Sequence, residues 1–194
     1  MKKFLSLLIL MLFAFFYSAK SQNYTFTEIK IDSIKREFKK ILIVSFGSVE
    51  VRLFCENLSE QLIKTLMSDS IKAEFKYLGK DAVEGNKKFK AFVIQNYDAI
   101  VTLIPKDSSL FRIDNTTRAR QSSNNVTGPL QLTTRSRDVT YSQTFVIHLL
   151  EPADQKNMLW SASLSVAFDP GKMKIYKDIA KIILSSFRKS KLIN

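Results

Sequence analysis

The stretch ILIVSFGSVEVRLFCENL, Ile41 to Leu58, constrains the fold of this chain more than any other. Ile41 to Phe46 is a block of β-branched and aromatic residues, the pattern of a strand covered on both faces. Gly47 interrupts it, Ser48 is a good helix N-cap, and Glu50 puts a negative charge where a helix dipole favours one. Val51, Cys55, Leu58, Leu62 and Leu66 then recur at spacings of four, three, four and four, which is one apolar stripe on a helix. Strand, glycine turn and helix in this order is also how phosphate is cradled in nucleotide enzymes. Such a loop needs several glycines and a following lysine. Here Gly47 stands alone, so the turn reads as a connection between sheet and helix.

Downstream, Ile71, Ala73, Phe75 and Tyr77 alternate as one face of a second strand. Asp81-Ala82-Val83-Glu84 has capping-box spacing and opens a second helix that carries Phe89, Phe92 and Val93. YDAIVTLIP is a third strand, ended by Pro105. VTYSQTFVIHLLEP and MLWSASLSVAF read as an antiparallel pair, and Met173 to Phe187 as a closing helix with Ile175, Ile179, Ile182, Ile183 and Phe187 inward, followed by a basic tail. These elements predict an α/β fold of one domain over 41–194. Its mixed five-stranded sheet has three largely parallel strands with helical crossovers, then an antiparallel pair, under about three helices. Residues 22–40 read as an N-terminal arm with a short strand.

The first residues predict export. Lys2 and Lys3 precede an apolar run from Phe4 to Tyr17, and small residues follow around Ala19 and Ser21, the layout of a signal peptide over 1–21. The run is short for a spanning helix. Loss of Lys2, Lys3 and Lys20 lowers a net charge of +12 by three, and the remaining excess suits either plain solubility or an anionic partner. Cys55 is the one cysteine, so no internal disulfide forms and apolar burial must hold the fold. Its place in the helical stripe makes it a core residue, and no lipid anchor through an N-terminal cysteine is expected. Tripeptides of N-glycosylation type begin at Asn23, Asn57, Asn115 and Asn125.

No residue set nominates a reaction. His148 is the sole histidine, which excludes a His-rich zinc site. A triad would need a serine elbow of the G-x-S-x-G kind, which the chain lacks. On its strand His148 shares a face with Val146 and Leu150, towards helix or solvent. The carboxylates Asp32 and Glu37, Glu56 and Glu60, and Asp138 and Glu151 have no spacing that makes them pairs; Glu56 and Glu60 lie on a helix face away from the stripe. No catalytic residue, cofactor or metal is expected. A rival reading places a small ligand-binding or hydrolase site at the strand ends near Ser48, Arg52 and Lys106.

Residues 106–138 differ in character, being rich in Ser, Thr and Asn. They hold Arg112, Arg118, Arg120, Arg135 and Arg137, five of the eight arginines. This is an extended hairpin end or a long loop, and long loops are often functional. Guanidinium groups among hydroxyls and amides suit an acidic protein patch, phosphates or an acidic glycan. Nucleic acid would call for more stacking aromatics, and export argues against it.

Laid out in this way, the chain resembles the small α/β envelope domains of curli-secretion lipoproteins, the TolB amino-terminal domain and the activators of penicillin-binding proteins. ILIVSF with the following E-V-R helix start, YDAIVTLIP, the pair YSQTFVIHLLEPADQKNMLWSASL with Trp160-Ser161-Ala162, and the closing helix carry the likeness, over 41 to about 190. It implies a mixed sheet backed by helices and a role in envelope assembly or regulation without catalysis. The expectation is an exported, non-enzymatic protein that binds another envelope component through the Arg-rich segment or an exposed sheet edge. A second alternative is binding to anionic lipid or polysaccharide.

Overall fold

The block Ile41–Phe46 sits at the centre of the sheet, as its apolar faces demand. The strand β2 (Lys40–Ser45) pairs in parallel with β3 (Lys72–Tyr77) on one side and β4 (Ala99–Pro105) on the other. The computed structural model describes residues 24–31, 37–91, 96–106, 111–115, 138–153 and 157–193. Helix α1 (Val49–Ser68) links β2 to β3, and helix α2 (Ala82–Ala91) begins the return from β3 to β4. Because β3 and β4 flank β2 on opposite sides, right-handed crossovers put the two helices on opposite faces.

Beyond β4 the sheet turns antiparallel. β6 (Asp138–Leu150) pairs with β4 and with β7 (Met158–Phe168), and β1 (Tyr24–Ile31) closes the far edge against β7. Six strands thus run in the order β1-β7-β6-β4-β2-β3, and a short β5 (Phe111–Asn115) pairs with the start of β6. The expected parallel trio and antiparallel pair are present. The count of five strands is corrected to seven, because Tyr24–Ile31 joins the sheet and the segment 106–138 contributes β5. Ile29 is 63% exposed, since the register of β1 shifts between Glu28 and Lys30 and breaks the alternation there.

The larger core lies between one sheet face and two helices, α1 and α3 (Met173–Lys189). All five residues of the α1 stripe are buried, and so is Phe54. The Phe54 ring meets Phe145, Phe168 and Tyr176, at centroid distances of 4.7, 4.6 and 5.4 Å. Trp160 stacks on Phe26, meets Phe187 edge-on, and donates its indole N–H to Ser186 Oγ at 2.8 Å. A smaller core on the opposite face gathers Leu42, Val44, Leu78, Ile100 and Leu150, with Phe89 of α2 packed against it.

Helices α1 and α3 end alike. After α1, Ser70 adopts φ 64° and Ile71 N–H reaches back to Leu66 C=O at 2.9 Å. After α3, Lys191 adopts φ 57° and Leu192 N–H reaches Phe187 C=O at 2.9 Å. Both are Schellman ends, which consume orphan carbonyls and fold the next apolar residue inward. Leu192 and Ile193 are therefore core residues, at 0% and 4% exposure. The basic tail expected there is corrected: its charged residues lie outside an apolar plug. Arg188 also pairs with Asp69, which ties the two helix ends together.

Candidate functional site

The C-terminal ends of β2 and β4 form a topological switch point, because the chain leaves β2 towards β3 and then recrosses to β4. Open α/β sheets bind ligands at such points, and here the strand ends bring together Gly47, Ser48, Arg52 and Lys106. Their chemistry is directed inward. Gly47 holds φ 138°, and a Cβ there would lie 2.7 Å from Val51 Cγ1, so glycine is required. Its N–H donates to Gly79 C=O at 3.0 Å and its C=O accepts from the Tyr77 hydroxyl. Ser48 Oγ accepts from Val51 N–H at 3.4 Å as the N-cap. Arg52 lies 5.1 Å over the Tyr77 ring and donates to Glu56 at 2.7 Å. Each group the rival reading would use on an anion already has a protein partner, apart from Lys106, whose amide alone is seen to bond, to Thr144 C=O.

The same end carries the start of α2. Asp81 Oδ1 accepts from Glu84 N–H at 2.8 Å, which fulfils the capping spacing. Lys88 holds the Glu84 carboxyl below the usual carboxylate range. Across the sheet, Lys40 and the Tyr97 hydroxyl do the same to Glu74. Glu56 and Glu60 pair separately, with Arg52 and Lys64, as a solvated helix face does.

Within the second face of the sheet, His148 Nδ1 lies 3.1 Å from Ser161 Oγ, and His148 is paired in register with Thr102. Burial lowers the imidazole below its ordinary 6.5. Thr144 and Ser165 hydroxyls meet at 3.0 Å on the same ladder. Ser161, Ser163 and Ser165 alternate along β7 opposite the apolar Trp160, Ala162, Leu164 and Val166, and Thr25 and Thr27 continue the hydroxyl row on β1. Exposure rises along it: Ser161 is buried, Ser163 half-buried, Ser165, Thr25 and Thr27 exposed. The S-A-S-L-S alternation was readable as a strand, but its meaning as a polar sheet face needed the topology.

Cys55 is wholly buried beside Ser45, and burial pushes its thiol up to about 12, the state of an inert core thiol. Among the described residues, no group of three or more His, Cys, Asp and Glu is placed to hold a metal. Of the five arginines singled out, Arg112 stands in β5, in register with Tyr141, at the strand end just beyond β4. Arg118, Arg120, Arg135 and Arg137 lie outside the described residues. A groove of about 540 Å³ at the other end of β2 and β3 was not foreseen; Phe38, Lys39, Ile71, Lys72 and Ile193 line it.

These features define a mixed α/β sheet domain with helices α1 and α3 on one face and a hydroxyl-bearing stretch on the other. No family model matches the chain, and no curated protein matches it in sequence. Among solved structures it is similar to the PelC dodecamer from Paraburkholderia phytofirmans, with TM-score 0.46 and 12% identity, covering 87% of this chain and 97% of that one. It is also similar to lipoprotein GNA1162 from Neisseria meningitidis, with TM-score 0.37 and 11% identity, covering 77% and 95%. A minor lipoprotein from Acinetobacter baumannii gives TM-score 0.33 and 11% identity over the same shares. Similarity at this level is one of general layout. Among the described residues, no helix is long and apolar enough to cross a membrane.

Proposed function

We propose that this protein is exported and acts without catalysis, by binding another component of the cell envelope. The contact surface is the hydroxyl face of β6, β7 and β1. The observation that carries this reading is the unequal cover of the sheet. The α2 side buries Leu42, Val44, Ile100 and Leu150, whereas the far half of that face bears Thr144, Ser163, Ser165, Thr25 and Thr27. Hydroxyl rows beside a strand that is the edge of the sheet among the described residues suit a partner that adds hydrogen bonds across and along the sheet. The engagement of Ser48 with Val51 and of Arg52 with Glu56 supports the non-enzymatic reading over a strand-end hydrolase.

The test is site-specific photocrosslinking in cells, with the probe at Thr25, Thr27 or Ser165, and at Lys64 on α1 as control. We expect one envelope component captured from the first three positions and not from Lys64. Capture confined to Lys64, or from none of the four, overturns the reading.

A further inference from the structure

The sheet ends in two unlike strands. At one edge β3 exposes Lys72, Glu74 and Lys76 in alternation, and charges so placed keep an edge from pairing with another chain. β1 is the other edge among the described residues, and it is built differently. Its regular run is Tyr24–Glu28, up to the register shift before Lys30, and the one charge in that run is Glu28 at its end. Tyr-Thr-Phe-Thr is strongly strand-forming sequence. Its outer backbone N–H and C=O groups meet no strand among the described residues.

The order of residues in the run says what fits against it. Thr25 and Thr27 flank Phe26 symmetrically. A two-fold axis normal to the sheet at Phe26 lays a second copy of the strand antiparallel to the first, with like faces together. Thr25 then stands opposite Thr27 of the second copy, and Thr27 opposite its Thr25. The sheet already uses that match. Thr144 and Ser165, directly opposed in β6 and β7, join hydroxyls at 3.0 Å, and Thr25 is the next residue across from Ser165. On the other face Phe26, half-buried and stacked on Trp160, meets Phe26 of the second copy. Tyr24 meets Glu28 of the second copy, a carboxylate that can accept from the phenol. Moving the axis to Thr27 sets Phe26 against Glu28, and moving it to Thr25 carries Thr27 and Glu28 past the start of the opposing strand.

We propose that this protein associates with a second copy of itself through β1, in antiparallel register centred on Phe26, so that two sheets join into one. The paired run is short beside a standard interface, so the dimer forms and parts with concentration. The hydroxyl face becomes continuous over both copies. The proposal concerns the backbone edge of β1, whereas the partner reading concerns the sheet face. A purified chain holds no other envelope component, so each can fail without the other.

The experiment is sedimentation velocity on the protein recovered from cells that export it, at rising concentration. The parent chain should pass from monomer to dimer; a chain still monomeric at about 1 mM overturns the proposal. T25K/T27K and T25E/T27E each set like charges opposite one another and should weaken the dimer on the order of tenfold. T25K/T27E sets opposite charges there and should keep it. Thr25 and Thr27 are both exposed, and far-ultraviolet circular dichroism reports whether each variant folds. Equal weakening in all three overturns the register, and no weakening in any puts the contact on another surface; either result overturns the proposal. Should a charged variant fail to fold, T25C/T27C decides: oxidation in the exporting cell should link position 25 of one copy to position 27 of another. Linkage to a different protein gives the edge to that protein, and absence of any linkage leaves it unpaired; both overturn the proposal.

Discussion

His148 shows how a single side chain can be placed correctly by sequence and still change meaning in the structure. Alternation put it with Val146 and Leu150, away from Phe145, Ile147 and Leu149, and the structure agrees. Its neighbour Ser161 could not be anticipated, because pairing with β7 depends on the turn and on a register shift beside Leu150. Burial keeps the folded imidazole neutral to lower pH than the unfolded one. The folded state thus binds fewer protons there. His148 contributes stability above the ordinary value of 6.5, and that contribution is lost as pH falls from 6.5 through the folded value. Denaturant unfolding followed across this window should show H148Q losing less stability than the parent chain; parallel curves would remove His148 from the account. The buried arc of α1 teaches a similar lesson. Its stripe was legible from Val51 to Leu66, but Phe54, Ser59 and Gln61 are buried too. The helix packs on the sheet and on α3 at once, and that second neighbour is a tertiary fact.

At the scale of elements, helices were the most legible parts and chain ends the least. The apolar period of α3 named Ile179, Ile183 and Phe187 correctly, but Ile175 and Ile182, named with them, are only half-buried, and Tyr176, Ala180 and Leu184 were missed for the same two-sided reason. Its end was misread because Arg188, Lys189 and Lys191 look like a solvated tail. A left-handed Lys191 turns Leu192 back under the helix, and no glycine advertises the turn. Deleting Leu192–Asn194 should cost about 3–5 kcal/mol, from the loss of two fully buried aliphatic side chains. Urea titration measures this, and a loss below about 1 kcal/mol would mean the plug is ornamental. β5 was hidden in polar sequence: FRIDN has little apolar character, and its strand state depends on the long partner β6.

The described residues form one mixed sheet with its helices, and the class was legible because the parallel trio and the closing pair each have strong local patterns. The candidate site was not, since the arginines carried the signal in sequence while the hydroxyl face emerges only when β7 and β1 are side by side. Trp160 is well placed to report on the assembled whole. It joins β7 to β1 through Phe26 and to α3 through Phe187 and Ser186. Thermal transitions followed by Trp160 fluorescence and by far-ultraviolet circular dichroism should therefore coincide. Separation by several degrees would divide the antiparallel half from the parallel half as folding units.

The pairing of Tyr24 with Val166 has a consequence for biosynthesis. The first strand to emerge must wait for nearly the last one before it gains a hydrogen-bonded neighbour, and such distant closure is slow. That edge of the sheet therefore stays open until Met158–Phe168 has been made, and the amino-terminal strand is the last of the set to be locked in place.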